Sequence, residues 1–250
     1  MTRIQTVRND PQSTRTCLGH RTGYRFGALA SLLALAAFAG PPAPKKPTVA
    51  ILYFDYDKTD ELEVLKKGLA QMLITDLGAH PNVILVERAR IQAVFDELKL
   101  GESKKVDPAT AVKVGKVLSA KYVLIGGYFA FAGQLQINTR LVNTETSGII
   151  PGPGVRGKPD AFFELEGELS QKLSSLLTTE IPAGAAGSKE TAAPPRRPGK
   201  SNVKVALGYS RALDAIDKKD KATAKTELEA VVKEQPDFVL ASLDLAELVK

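Results

Sequence analysis

From Gln134 to Leu141 polar and apolar side chains alternate residue by residue: Gln134, Gln136, Asn138 and Arg140 against Leu135, Ile137, Thr139 and Leu141. A period of two is what an antiparallel strand with one buried and one open face requires. Immediately before it, across a turn near Gly133, runs Tyr122-Val123-Leu124-Ile125-Gly126-Gly127-Tyr128-Phe129, apolar almost throughout and of strand length. A chain holding this pair must contain a sheet with a core on one side. Helical patterns elsewhere must supply the cover.

The preceding residues fit that frame. Thr48-Val49-Ala50-Ile51-Leu52-Tyr53-Phe54 is rich in β-formers and predicts a central strand. Thr59 is expected to cap the next helix, with Asp60, Glu61 and Glu63 at its positive end and Leu62, Leu65, Leu69, Met72, Leu73 and Leu77 along its apolar stripe. Val83–Val86 predicts a second strand, and Glu87-Arg88-Ala89-Arg90 opens a helix with Ile91, Val94, Phe95 and Leu98 inward. Asp107-Pro108 is an N-cap followed by proline at the first helical position. That helix turns Ala111, Val114, Gly115 and Leu118 to the core. Residues 144–148 are turn chemistry, Ile149-Ile150 begins a short strand, and a last helix carries Phe162, Leu165, Leu169, Leu173 and Leu176 inward.

Two stretches flank this α/β domain of residues 48–181. The first 39 residues combine five arginines with an uncharged apolar run, Phe26 to Ala39, that ends in Ala37-Phe38-Ala39 before Gly40 and Pro41-Pro42. This is the pattern of a secretory signal peptide cleaved between Ala39 and Gly40, leaving 40–47 as a spacer. Residues 182–201 are rich in proline, glycine and alanine and form a linker. Residues 202–250 keep helical periodicity throughout, a small all-α module.

Charge and residue chemistry exclude several functions. Of 34 basic and 28 acidic residues, the leader holds five and one; the remaining 29 and 27 nearly balance, unlike a protein that binds nucleic acid by neutralising phosphate. Cleavage removes Cys17 and His20, so the mature chain has no thiol and a single histidine, His80, in a helix-ending turn where an exposed loop position is expected. Neither a histidine-dependent triad nor a zinc site is expected, and no cofactor. Gly152-Pro153-Gly154-Val155-Arg156-Gly157-Lys158 has the spacing of a phosphate-binding loop. Pro159 stands where such a loop needs a hydroxyl, and Pro153 removes an amide, so a mobile loop is expected instead. Glu61, Glu63, Asp96, Glu97, Glu164, Glu166 and Glu168 are read as surface charges.

The ordered series Val49–Asp55, Leu69–Leu77, Val86–Ile91, Val106–Ala111 and Gly115–Gly126, continued by Leu141–Gly148, resembles the CsgG family of curli production assembly/transport proteins, related in fold to the N-terminal domain of TolB. The resemblance spans roughly residues 47–178. It implies an α+β sandwich, with a mixed sheet and helices, and no catalytic residue; Glu87 and Arg88 are implied in an ion pair or cap. Pore-forming members carry a lipid-acceptor cysteine and two long membrane hairpins. Here Gly40 follows the apolar run, the turn at 130–133 leaves no room for such a hairpin, and 149–160 is too short.

The 202–250 segment resembles a tetratricopeptide repeat: Ala212, Ala224 and Pro236 fall at its small and helix-ending positions, with residues 213–225 as the turn between two helices. One repeat buries its faces poorly, so it must dock on the α/β domain, a second copy or another protein. Tyr209, Leu213 and Ile216 are read as a groove for a partner. The resulting expectation is a non-enzymatic protein of the periplasm or outer-membrane face, scaffolding secretion or assembly of surface material; the alternatives are a periplasmic adaptor or activator of an envelope enzyme acting through the helical module, and a nucleotide-binding enzyme using residues 152–158. It has protein partners, possible self-association and peripheral membrane contact, with no nucleic acid and no integral span.

Overall fold

The structure, a computed structural model, describes residues 46–56, 58, 60–100, 106–181 and 203–250. The signal-peptide reading with its Ala39–Gly40 cleavage, Thr59 as a cap, and the 182–201 linker lie outside the described residues. Strand β1 (Thr48–Ile51) is followed by the short β2 (Asp55–Tyr56), a turn of 3-10 helix at Glu61–Val64 and helix α1 (Leu65–Leu77). Then come β3 (Ile84–Leu85), α2 (Arg88–Glu97), α3 (Pro108–Val117), and the meander β4 (Tyr122–Phe131), β5 (Gln134–Asn143) and β6 (Ile149–Gly157). Helix α4 (Phe162–Glu180) ends this part, and α5 (Val203–Asp217), α6 (Lys221–Glu234) and α7 (Val239–Leu248) form the C-terminal module.

The strands make one mixed sheet of order β3-β1-β4-β5-β6, with β2 also on β4. Strand β1 runs parallel to β3 and β4, while β4-β5 and β5-β6 are antiparallel. Parallel neighbours need crossover helices, and α1 to α3 supply them. The β4-β5 pair is held by a two-residue turn in which Ala132 (φ 49°) and Gly133 (φ 71°) are both left-handed, the geometry that matches the twist of two short-linked strands. The alternation in β5 sorts as expected: Leu135, Ile137, Thr139 and Leu141 are buried, while Asn138 and Arg140 are exposed.

Caps and stripes follow the sequence closely, with three differences. The Asp107 carboxylate accepts from the Thr110 amide at 2.6 Å and so starts α3. Asp60 caps the 3-10 turn before α1 by accepting from the Leu62 amide. In α4 the inward row ends at Leu177, four residues after Leu173, with Leu176 only half-buried, because a 3.6-residue period favours the i+4 position here. Leu98, the last residue of the α2 stripe, is 38% exposed beyond the helix. Residues 149–157 form a single nine-residue edge strand rather than a short strand and a loop.

The module also differs from its expected layout. Helix α5 continues through the segment read as a turn, and only Lys218–Asp220 separate it from α6. Lys219 adopts φ 61° there, and Asp220 caps α6 through the Thr223 amide. Pro236 follows the end of α6, as its missing amide predicts. The α/β part and the helical module share one buried core: α5 lies on α1, and Phe238 stacks edge-on against Phe163 of α4 at 5.4 Å.

Candidate functional site

Polar chemistry concentrates in two places: the buried seam between α1 and α5, and the open face of the β4-β5-β6 meander.

The seam is set by a helix crossing without side-chain bulk. Gly68 of α1 faces Ser210 of α5 so closely that a Cβ on Gly68 would sit 2.0 Å from the Ser210 Oγ. Ser210 is fully buried and donates its hydroxyl to the Ala206 carbonyl, a local bond that needs no partner across the seam. One turn on, four charges meet. Arg88 donates from Nη1 to both Asp217 oxygens at 2.7 and 2.8 Å. Lys67 Nζ lies 3.0 Å from Asp217 and 2.8 Å from Asp214. The side chains of Lys67, Arg88 and Asp217 are 5–8% exposed. Two cations of the α/β domain are thus neutralised by two carboxylates of the module.

Tyr53 closes the cluster below Lys67, whose ammonium stands 5.8 Å from the ring centroid, and donates its hydroxyl to Gln92 at 2.7 Å. Burial pushes the Tyr53 phenol up to about 12, against the pull of Arg88. Burial also raises the Asp214 carboxyl, but hydrogen bonds from Lys218 and Lys67 outweigh it and hold the group below its ordinary value.

The residues read as a partner groove lie in this seam. Tyr209 is fully buried, stacks edge-on against Phe238 at 5.0 Å and donates to Asp244 at 2.8 Å. Leu213 is 2% exposed, and Ile216 packs half-buried against the same core. That face is filled within the chain itself, Tyr209 by Phe238 and Asp244 of the same module and the rest of the buried α5 face by the core shared with α1. Arg88 makes its ion pair with Asp217 rather than with Glu87, which stays exposed as the backbone N-cap of α2. Sequence inspection missed Lys67, Asp214 and Asp217. Their signal was charge on an apolar stripe: Asp217 lies one turn after Leu213, and Lys67 falls between Leu65 and Leu69.

His80 is buried, not an exposed loop residue. Its Nδ1 accepts from the Asn82 amide at 3.2 Å, so the ring proton sits on Nε2, which faces the Ser174 carbonyl at 3.1 Å and Thr178 Oγ1 at 3.2 Å. Burial lowers its pKa below the ordinary value, and the Ser174 carbonyl opposes only part of that. The unfolded chain therefore binds a proton at higher pH than the native one. This contribution to stability is complete above about pH 6.5 and is lost as pH falls from there through the lowered native value. The thermal midpoint is expected to fall between pH 7.5 and 5.5, and by less in His80→Gln. An equal fall in both would sink this assignment.

Glycines 152, 154 and 157 do not form a phosphate cradle. They lie in β6, whose extended backbone points successive amides in alternate directions instead of converging them on an anion. A Cβ on Gly152 would meet the Thr139 carbonyl carbon at 2.8 Å, so the residue is small to permit close pairing with β5. Lys158 follows the strand, exposed. Among the carboxylates, Glu63 pairs with Lys66 and Glu168 with Lys172, while Glu166 is buried at 3% exposure rather than on the surface. Among the described residues no three histidine, cysteine or acidic side chains gather where they could hold a metal. No helix there is long and apolar enough to cross a membrane.

The open face of the meander is polar and ordered in rows. Opposed residues across the three strands run Phe129–Gln136–Arg156, Gly127–Asn138–Gly154 and Ile125–Arg140–Pro151. A cleft of about 250 Å³ lies at the last two rows, bounded by Asp55, Asp107 and Phe129.

Comparison with known proteins agrees with the motif series. Residues 39–139 match the family model of the curli production assembly/transport component CsgG. A putative adenylate cyclase 3 of Rhizobium meliloti (strain 1021) is 25% identical over 158 residues, 63% of this chain and 25% of that protein. The chain thus spans about a quarter of the length of that curated relative. Similar solved structures include the LpoB C-terminal domain from Salmonella enterica, at 15% identity and TM-score 0.35, covering 48% of this chain and 84% of that one. TolB from Acinetobacter baumannii is 15% identical with TM-score 0.36, over 55% and 29%. A PelC dodecamer from Paraburkholderia phytofirmans is 13% identical with TM-score 0.29, over 58% and 96%.

Proposed function

We propose that this chain, matched to the CsgG family over residues 39–139, is an exported, non-enzymatic scaffold of a bacterial cell envelope that assists secretion or assembly of surface material. The observation that carries the reading is the family match itself, which covers the strand and helix series from β1 to the start of β5. Two features support it. The buried charges fasten the helical module to the α/β domain, a task that leaves them no freedom to act on a substrate. The segment with phosphate-loop spacing, on which a nucleotide-binding enzyme would depend, is a paired strand. Cyclase activity belongs to the Rhizobium protein by its name, and a quarter of that protein is what aligns here.

A second reading, an adaptor that engages an envelope enzyme through its helical module, is favoured by a specific surface. On α7, Val239 at 53% and Leu243 at 61% exposure stand one turn apart, a neighbouring exposed apolar pair. With the Tyr209 face buried, this pair is the apolar surface that the module offers to a partner helix.

Expression of the full chain in a Gram-negative host, followed by fractionation, intact mass and crosslinking, tests both. The expected product starts at Gly40, sits in the periplasmic or outer-membrane fraction and crosslinks to envelope proteins. An unprocessed cytosolic chain overturns the envelope reading. Loss of every crosslink in Leu243→Glu, with export intact, selects the adaptor.

A further inference from the structure

The turn between α1 and β3 fastens three parts of the α/β domain, and it carries two buried side chains, His80 at 5% and Asn82 at 7% exposure. The His80 amide donates to the Leu77 carbonyl of α1 at 2.9 Å. Asn82 Nδ2 donates to the Ile181 carbonyl at 2.9 Å, where α4 ends. Just beyond the turn, the Ile84 amide donates to the Pro47 carbonyl at 3.0 Å, beside the start of β1. One turn therefore holds the first strand and the last helix of the domain.

The hold depends on which ring nitrogen carries the proton. His80 Nδ1 accepts from the Asn82 amide, and Nε2 meets the Ser174 carbonyl and Thr178 Oγ1. A second proton leaves the Nε2 contacts intact, since that nitrogen is a donor in both charge states. At Nδ1 the same proton turns the acceptor into a donor facing the Asn82 N–H. That buried amide is left without its acceptor, a cost the turn escapes by opening. The surroundings add to the pressure. Lys46 repels a charged ring, α4 faces it with the neutral Ser174 and Thr178, and α1 meets the turn through the Leu77 backbone. Water outside the turn solvates an imidazolium better than these groups do.

We propose that this turn is an acid-operated latch: uptake of a solvent proton at His80 Nδ1 expels the Asn82 amide and frees the α4 end that Asn82 holds. The sign follows from burial, which keeps the closed ring below its ordinary value of 6.5. The open turn binds a proton that the closed turn does not. Opening therefore becomes easier as pH falls through 6.5 and levels off below the closed value. The opening is local. The Arg88–Asp217 pair and the Phe163–Phe238 contact contain no histidine, so the helical module stays docked while the last turn of α4 loosens. The thermal midpoint reads proton uptake on complete unfolding, whereas the latch is a partial opening that needs less free energy.

The test is native-state hydrogen exchange of the purified full chain at pH 7.5 and 5.5, corrected for intrinsic rates. The Asn82 and Ile181 amides should open more readily in acid by up to about tenfold, the proton uptake of an ordinary imidazole over that interval. At low urea concentrations their exchange should not depend on denaturant, whereas β4 amides, which open only by unfolding, should accelerate. His80→Gln offers a carbonyl acceptor that does not titrate, so the acid response of both amides should vanish. Asn82→Ala removes the bond to Ile181 alone. In that variant Ile181 should open readily at pH 7.5 and lose its pH response, while the amide of residue 82 keeps its own. Overturning results are an unchanged opening in acid, a urea dependence at Asn82 and Ile181 equal to that of β4, an acid response that survives His80→Gln, or one that survives at Ile181 in Asn82→Ala. Because purified chain is used, failed export would leave the outcome untouched.

Discussion

Asp217→Ala is expected to destabilise the folded chain by about 3–5 kcal/mol, the cost of leaving a buried charge without its partner. The carboxylate of Asp217 is the shared acceptor for Arg88 and Lys67, all three nearly out of water. Alanine takes the Asp217 carboxylate from the Arg88 guanidinium, while Lys67 keeps its pairing with Asp214. Because Asp217 belongs to α5 and both cations to the α/β domain, the loss falls on the joint between them. Denaturant unfolding of the full chain measures it. The triple variant Lys67→Met, Arg88→Met, Asp217→Leu should recover most of the loss, since an apolar replacement of a buried ion cluster carries no desolvation cost. A single-variant loss under about 1 kcal/mol, the range of a solvated surface pair, would show that water reaches the cluster.

Gly68→Ala is expected to destabilise by about 1–3 kcal/mol, the range for overpacking a tight contact. An isolated helix would respond oppositely, because alanine exceeds glycine in helix propensity by about 1 kcal/mol. The sign is set across the seam: the new methyl meets Ser210 Oγ at 2.0 Å and its Cβ at 3.1 Å. Rotating the hydroxyl alone does not clear the second contact, so α5 must move off α1 and strain the ion cluster one turn away. Combining Gly68→Ala with Ser210→Gly removes both obstructing atoms, and a double-mutant cycle should return a favourable coupling of about 0.5–3 kcal/mol. Additive effects would mean that the helices approach elsewhere.

These expectations show where local sequence information ends. The Asp107-Pro108 start of α3 was legible because a cap and its amide acceptor lie three residues apart. The β5 alternation was legible because burial on one face repeats every second residue. The arrangement of α5, α6 and α7 followed from helical periodicity, although the α5-α6 turn was misplaced: charged residues 217–220 and the helix end share one composition. Residues 152–157 looked like a loop because glycine and proline dominate them, and only pairing with β5 makes that composition an edge strand. His80 looked exposed because its turn is polar, while its ring is buried against α4, 94 residues away along the chain.

By itself, then, the sequence determined the kinds of element, their order, the two-faced meander and the motif series matched over residues 39–139. Each depends on residues within a turn or a strand of one another, where periodicity, capping and turn conformation act. The tertiary structure alone decided what the helical module docks on, that Tyr209 and Leu213 are buried, and that Arg88 pairs with Asp217 across 129 residues. No local pattern encodes such a pairing: a buried cation finds its carboxylate only when two surfaces close over both and exclude the water that would otherwise solvate them.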